Sequence, residues 1–316
     1  MVIIPQIFSV CNKYSAHNRH IQPRWMCVFF TGTGKYEESE NKLRNLKFCG
    51  CHFGRDTLEY TVISAGLRAG GKRRRLCFTD MKYKRILLKV SGEALAGDGH
   101  RGLDFTVIHE VCEAIRQCRD LGVQVGLVIG GGNFWRGVKD GADKMQRSHG
   151  DAMGMLATVM NSIAVADALE HHGVEARVLS AVEMNKFAEY FTRDAADRYL
   201  NEGKVVIFAA GTGNPYFSTD TGAVLRGVEI EADAILMAKN VDGIYSADPN
   251  VDPTAVKFDT LTYDEVLARH LKATDTTAMT LAMDNHMTLV CFALKDPQNI
   301  VRVVRGEKIG TIVKED

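Results

Sequence analysis

The chain has no net charge, no long apolar run and no cysteine framework, and each absence narrows what it can do. Its 39 Lys and Arg balance 39 Asp and Glu, so no global field draws it to nucleic acid or to an anionic membrane. No stretch reaches the roughly 18 uninterrupted apolar residues of a membrane span. The N-terminus lacks a basic segment leading into an apolar run and a small-residue cleavage site, so secretion is not expected. Of eight cysteines, Cys11, Cys27, Cys49, Cys51 and Cys77 fall in the first 80 residues; Cys112, Cys118 and Cys291 follow at spacings that fit neither a disulfide framework nor a zinc site. A cytoplasmic, reduced setting is expected for the body of the protein. There is no internal repeat. At 316 residues the chain holds one large α/β domain or two smaller ones.

The neutral total hides an asymmetry. Residues 1–80 carry 13 Lys/Arg against 6 Asp/Glu, or +7, and the remainder 26 against 33, or −7. Residues 1–80 show no sustained period of 3.6 or 2. At Met81-Lys82-Tyr83-Lys84-Arg85 clear α/β patterning begins. We therefore expect Met81 to be the biological start and 1–80 to be translated upstream sequence, the alternative being a poorly ordered extension. Two decoys lie there. Gly66-Leu67-Arg68-Ala69-Gly70-Gly71-Lys72-Arg73 imitates a P-loop, but Arg73 replaces the hydroxyl that would meet Mg²⁺. Cys49-Gly50-Cys51-His52 has no second ligand pair at zinc spacing.

From Met81 onward strand and helix alternate. Strands are expected at 85–90, 123–129, 174–179, 204–209 and 234–238, with helices at 104–121, 151–171, 192–202 and 219–231 between them. Residues 137–149 read as a mobile loop. Beyond Asp242-Gly243 come helices near 262–271 and 276–285, strand 288–293, a helix near 297–305 and an edge strand at 309–313. This alternation predicts an α/β fold: a three-layer sandwich with a mainly parallel central sheet between helices.

In such folds ligands sit outside the carboxyl ends of the strands. The first strand ends Lys89-Val90-Ser91-Gly92, and a lysine at a buried strand end is costly unless it meets an anion. The second ends in Gly130-Gly131-Gly132, with Arg136 just beyond. Three glycines leave backbone N–H groups open to a charged ligand, and a guanidinium can fork onto phosphate. Asp151 is either an N-cap or an acceptor for ribose hydroxyls. The fourth strand leads into Gly211-Thr212-Gly213-Asn214-Pro215-Tyr216-Phe217-Ser218-Thr219-Asp220. This set can read a base edge, stack on a ring and bind phosphate at a helix N-terminus. The fifth strand is followed by Tyr245 and Asp248, which suit an adenine and its ribose. Two anion-binding turns and two nucleoside pockets point to phosphoryl transfer between nucleotides without a P-loop. A dinucleotide dehydrogenase is disfavoured because Gly130-Gly131-Gly132 does not continue as G-x-G-x-x-G.

These motifs resemble the bacterial-type UMP kinases of the amino acid kinase superfamily. The resemblance covers residues 83–314. It rests on Lys89-Val-Ser-Gly-Glu-Ala-Leu95, Val128-Ile-Gly-Gly-Gly-Asn133, Gly150-Asp-Ala-Met-Gly-Met-Leu-Ala-Thr-Val-Met-Asn161, Ala210-Gly-Thr-Gly-Asn-Pro-Tyr-Phe-Ser-Thr-Asp220 and Val241-Asp-Gly-Ile-Tyr-Ser-Ala-Asp-Pro249. It implies an amino acid kinase-like fold and the reaction ATP + UMP → ADP + UDP, with Mg²⁺ accompanying ATP and no metal ligand assigned to the protein. It implies ATP contacts from Lys89, Val90, Ser91, Gly92, Gly132, Arg136, Tyr245 and Asp248, and from Lys239 or Asn240. For UMP it implies Gly131, Asp151, Thr212, Gly213, Asn214, Pro215, Tyr216, Phe217, Ser218 and Thr219. Lys89, Arg136, Asp220 and Asp275 would form the catalytic set, with Asp275 orienting the lysine. Gly97, Asp98, Gly99, His100, Arg101 and Gly102 match a region linked to GTP activation. A homohexamer, UTP inhibition, a UMP-binding lobe over about 81–235 and an ATP-binding lobe over about 236–316 are also implied. The run Ala238-Lys239-Asn240-Val241 is one residue shorter than a common form of the family.

Two rival readings share this fold: a kinase acting on a carboxylate such as an acidic amino acid, and a non-catalytic anion-binding member. The loop Asn214-Pro215-Tyr216-Phe217 argues against the first, and the joint presence of Lys89, Arg136 and Asp275 against the second. N-terminal sequencing of the endogenous protein is expected to begin at Met81; detection of residues 1–80 in the mature chain would contradict that.

Overall fold

The computed structural model describes residues 53–54, 57–58, 81–99, 101–136, 145–249, 251–271 and 274–315. The chain divides into two units, Met1–Arg73 and Arg74–Asp316. In the first, strands β1 (Phe53–Gly54) and β2 (Thr57–Leu58) pair antiparallel. The P-loop-like run at 66–73, the cluster at 49–52 and the rest of the expected extension lie outside the described residues.

The second unit opens with β3 (Arg85–Val90), a 3-10 segment (Gly92–Gly99), α1 (Phe105–Asp120) and β4 (Gln124–Ile129). Next come α2 (Arg147–His171), β5 (Ala176–Ser180), β6 (Glu189–Tyr190), α3 (Arg193–Asn201), β7 (Val205–Ala209) and α4 (Thr219–Glu229). The chain continues through β8 (Ala234–Lys239), β9 (Ile244–Tyr245), β10 (Lys257–Phe258), β11 (Thr260–Thr262), α5 (Tyr263–Ala268), α6 (Thr276–Asp284), β12 (Leu289–Ala293), α7 (Gln298–Val304) and β13 (Thr311–Lys314). Nine strands form one sheet in the order β11-β13-β12-β8-β3-β4-β7-β5-β6, and β9 and β10 form a separate hairpin. Every neighbouring pair in the large sheet is parallel except β12 with β13.

Both faces of the sheet are covered, which is why its central strands read as unbroken apolar runs. All five residues of β7, Val205-Val206-Ile207-Phe208-Ala209, are buried. Alternation splits each strand between two cores. Ile86, Leu88 and Val90 of β3 pack with residues of α1, α2 and α7, while Leu87 faces α3, α4, α5 and α6. This is the three-layer α/β arrangement read from the sequence. Helix starts follow local chemistry. Asp104 caps α1 by accepting from the Thr106 and Val107 N–H groups at 2.9 and 3.4 Å, and Thr262 and Glu265 form a reciprocal capping box on α5.

Three expectations shift. Helix α2 begins at Arg147, not near 151, so Asp151 stands inside it and is not its N-cap; residues 137–144 of the expected loop lie outside the described residues. The last strand is not an edge, because Thr260–Thr262 pairs along its outer side. That three-residue strand was hidden in the approach to α5. Helix α2 is also long and apolar enough, by length and composition, to cross a membrane. Here its Val165, Ala168 and Leu169 are buried in the core beneath the sheet.

Gly310, entering β13, has φ 74°, and a Cβ there would lie 2.0 Å from the Cys291 carbonyl oxygen. Gly310→Ala combines left-handed strain with overpacking and should lower the unfolding free energy by about 3 kcal/mol in a urea titration. A change under about 0.5 kcal/mol would contradict this packing.

Candidate active site

Strand parity sets the site. Lys89 lies two residues beyond Leu87 and shares its face of the sheet. On the adjacent parallel strand β8, Lys239 lies two beyond Met237, which packs in the same core as Leu87. Two lysines therefore emerge side by side at the carboxyl ends of neighbouring strands. Between them stands Asp220, in the first turn of α4. Lys89 Nζ is 2.8 Å from Asp220 Oδ1 and Lys239 Nζ is 2.8 Å from Oδ2. Thr274 Oγ1 also donates to Oδ2, at 2.7 Å. The Lys89 contact is an ion contact without the angle of a directed hydrogen bond, since Oδ1 is buried and accepts none. The Lys89 residue is only 8% exposed. Burial by itself would raise the Asp220 carboxyl; the ammonium groups of Lys89 and Lys239 outweigh it and hold the acid well below the usual carboxylate range. Burial would likewise lower Lys239, and Asp220 reverses that shift upward. Two lysines thus meet one ionised carboxylate in a site largely out of water, with the Asp275 carboxylate close enough to act on Lys239 as well. A pair of lysines fixed at neighbouring strand ends is a place where an anion can be held.

Two helix N-termini converge on the same spot. Ser218 caps α4, its Oγ accepting from the Asp220 and Thr221 N–H groups at 3.0 and 3.1 Å, and donates to Asp275. Asp275 caps α6 by accepting from the Ala278 N–H at 2.9 Å, and takes a further bond from Thr221 Oγ1 at 3.0 Å. Asp275 therefore ties α4 to α6. The contact with Lys89 expected of it is made by Asp220 instead, because Asp220 lies in the first turn of the helix that faces β3. Thr221 and Thr274 were not singled out in the sequence; their only signal is that each is a hydroxyl residue next to one of the two aspartates.

The glycine turn is shaped by close approach. A Cβ at Gly92 would lie 2.3 Å from the Gly130 carbonyl oxygen, one at Gly131 would lie 2.7 Å from that of Gly154, and one at Gly132 would lie 3.0 Å from Glu93 Oε1. The turn is thus pressed against three neighbours at once, and a side chain at Gly92 or Gly131 would force them apart. Arg136 forms an ion pair with Glu93, which holds it beside Gly132.

A cavity of about 140 Å³ opens beside the turn. The structure brings Gly131, Asp151, Thr212, Asn214, Phe217, Ser218 and Thr219 onto its wall, and adds Trp135 and Thr158. Gly213, Pro215 and Tyr216 belong to the same loop but not to the wall. Tyr216 sits at φ 71°, a conformation costing about 1–2 kcal/mol. Asp151 Oδ2 helps hold it there by accepting the Tyr216 N–H at 2.8 Å, and Arg147 Nε lies 3.1 Å from the same carboxylate. Asn240, Tyr245 and Asp248 lie beyond β8, away from this wall; Tyr245 donates its hydroxyl to Asp242 at 2.6 Å. Gly97, Asp98 and Gly99 lie in the 3-10 segment and Arg101 and Gly102 follow it, while His100 is outside the described residues. Among the described residues, no group of three or more His, Cys, Asp and Glu is arranged to hold a metal.

A model of the amino acid kinase family matches residues 84–295. The chain is 54% identical over 237 residues to a uridylate kinase of Pediococcus pentosaceus, covering 75% of this chain and 98% of that protein. It is 50% identical over 239 residues to a uridylate kinase of Limosilactobacillus reuteri, covering 75% and 100%. Among solved structures it is similar to a UMP kinase from Bacillus anthracis, with TM-score 0.72 and 34% identity, covering 74% of this chain and 97% of that one. A UMP kinase from Ureaplasma parvum gives TM-score 0.70 and 37% identity, with 74% and 100% covered.

Asp220→Asn removes the carboxylate that buried Lys89 and partly buried Lys239 both meet, and should lower the unfolding free energy at pH 7 by about 3 kcal/mol. The wild-type carboxyl is depressed in the folded state, so its stabilisation is complete above the unfolded value of about 3.9 and is lost as pH falls toward the folded one. The gap between wild type and variant should stay flat from about pH 8 to 5 and narrow below about pH 4. Denaturant titrations across that range check this; a gap that widens on acidification would contradict it.

Proposed function

Because the chain belongs to the amino acid kinase family, and within it to the uridylate kinases, we propose that it transfers the γ-phosphoryl group of ATP to the phosphate of UMP. The products are ADP and UDP, in pyrimidine nucleotide metabolism. The observation that carries this reading is the largely buried Lys89–Asp220–Lys239 cluster, set at the strand ends beside both the glycine turn and the cavity.

UMP occupies the cavity, with Asp151 toward its ribose, the Thr212–Thr219 loop around its base and phosphate, and Gly131 toward its phosphate. ATP takes the other side, across Lys89, Val90, Ser91, Gly92 and Gly132, with Tyr245 and Asp248 at its nucleoside. Lys239 is committed to Asp220, so the adenine contact passes to Asn240. ATP enters as its Mg²⁺ complex; Asp220 is already occupied by two ammonium groups, which fits a metal carried on the substrate. A UMP phosphate has a second pKa near 6 and is already a nucleophilic anion at neutral pH, so no general base is required. The protein's task is to hold two polyanions in line and spread the charge of the transferring group. Lys89 is pre-positioned for this by Asp220. Arg136, held by Glu93, exchanges that carboxylate for phosphate oxygens when both nucleotides are bound.

On this reading the UMP lobe spans about 81–235 and the ATP lobe about 236–316, and the enzyme is cytoplasmic. Cys112, Cys118 and Cys291 are buried free thiols, and burial pushes Cys112 up to about 12, which suits a reducing compartment. Met153, Leu156, Met160 and Ile163 form an exposed apolar stripe on α2, which we assign to contact between copies in a homohexamer. The segment from Gly97 to Gly102 is the proposed route of GTP activation, opposed by UTP. The test is ADP release with UMP, CMP, dCMP and acidic amino acids as acceptors. UMP-dependent release is expected; release driven only by an amino acid would overturn the reading. In the same assay Lys89→Ala should lower kcat about 100-fold or more while changing KM for UMP far less. Near-normal turnover would remove Lys89 from the chemistry.

A further inference from the structure

Asn133, directly after the glycine turn, is 1% exposed, and Asn161, on α2, is 0% exposed. Their amides face each other. Asn133 Nδ2 donates to Asn161 Oδ1 at 3.0 Å, and Asn161 Nδ2 donates to Asn133 Oδ1 at 2.8 Å. The second hydrogen of each amide goes to a backbone carbonyl: Asn133 to Gly102 O at 2.7 Å, Asn161 to Gly130 O at 2.6 Å. All four amide hydrogens are used, and both amide oxygens accept. The orientation is determined, because flipping either amide would set oxygen against a carbonyl oxygen.

We propose that Asn161, braced by Asn133, is a positioning residue for the phosphoryl transfer, an inference that rests on the functional reading above. A trans peptide is rigid, with its C=O and the following N–H pointing in opposite directions. Asn161 grips the Gly130 carbonyl from the α2 side and so fixes the plane shared with the Gly131 N–H. The Gly131 carbonyl accepts from the Phe134 and Trp135 N–H groups at 3.0 Å each, which fixes the next plane and the Gly132 N–H. Among the described residues neither of these two N–H groups donates a hydrogen bond, and Gly131 lines the cavity. Two successive amides are thereby held ready for phosphate oxygens, one of them by a side chain that never touches substrate. A freely turning Gly-Gly-Gly segment would have to be ordered in every catalytic cycle. The same pair reaches Gly102, whose N–H also donates to the Asn133 carbonyl at 3.1 Å, so the turn is tied on its far side to the stretch that leads into α1.

Asn161→Asp keeps the size and the acceptor for Asn133 but turns an oxygen toward Gly130 O. Ser162→Ala is the control: Ser162 is equally buried on the same helix, and its hydroxyl bonds only within the helix, to Thr158 O at 2.7 Å. Melting temperature, kcat for UMP, and affinities for UMP and uridine are measured for both. At a temperature where both are folded, Asn161→Asp should lower kcat about tenfold or more. It should weaken UMP binding about tenfold while leaving uridine binding unchanged. Ser162→Ala should lower only the melting temperature. If Asn161→Asp lowers melting alone, with kcat and the UMP-to-uridine affinity ratio unchanged, the proposal is overturned. Absence of UMP turnover in the wild type would instead sink the functional reading, and the affinity ratio would still decide the role of Asn161. Should Asn161→Asp fail to fold, Asn161→Ser, which introduces no charge, carries the same comparison.

Discussion

The ion cluster of Lys89, Asp220 and Lys239 is the constraint on which the site depends. Two ammonium groups around one carboxylate is a stable arrangement only because each lysine comes from a rigid strand and the carboxylate from a helix N-terminus whose dipole favours negative charge. The geometry is fixed three times over: by the parallel register of β3 with β8, by the strand alternation that puts both lysines on one face, and by the Ser218 cap that starts α4 beneath them. The outcome is a cation that cannot wander. A long, flexible side chain has become a fixed positive charge at the end of a strand, where ordering it costs nothing further when substrate arrives.

The surrounding parts follow the same logic of pre-paid order. Asp275 joins the start of α6 to the start of α4, Asp151 holds Tyr216 in a left-handed conformation, and Glu93 holds Arg136. In each case a carboxylate is spent on positioning rather than on proton transfer. That division suits a reaction whose nucleophile arrives already ionised. It also accounts for acids being plentiful around a site where none is needed as a base.

Much of the fold was legible because the sheet is covered on both faces. Unbroken runs such as Val205–Ala209, and helices with clear stops such as Gly122 and Gly203, left little choice of topology. What escaped were short pieces: Glu189–Tyr190, the β9–β10 hairpin, and Thr260–Thr262, whose two or three residues carry no period. The polar pieces of the site were legible as an inventory but not as a wiring diagram. Lys89, Asp220 and Asp275 stand out by type and place, yet which aspartate meets the lysine depends on the turn of α4 in which it falls, a tertiary fact. The resemblance leaves the adenine contact open between Lys239 and Asn240; strand parity puts the Lys239 side chain on the Lys89 face, against Asp220. Asn133 and Asn161 carry no signal beyond their identities, since only the folded structure shows their amides face to face.

The most direct test is a crystal structure with UMP and a non-hydrolysable ATP analogue bound together. The account predicts Lys89 Nζ within hydrogen-bonding distance of the terminal phosphate oxygens while still on Asp220, with the Gly131 and Gly132 N–H groups directed at phosphate. Phosphates bound away from the glycine turn, or Lys89 swung off Asp220 into solvent, would contradict it.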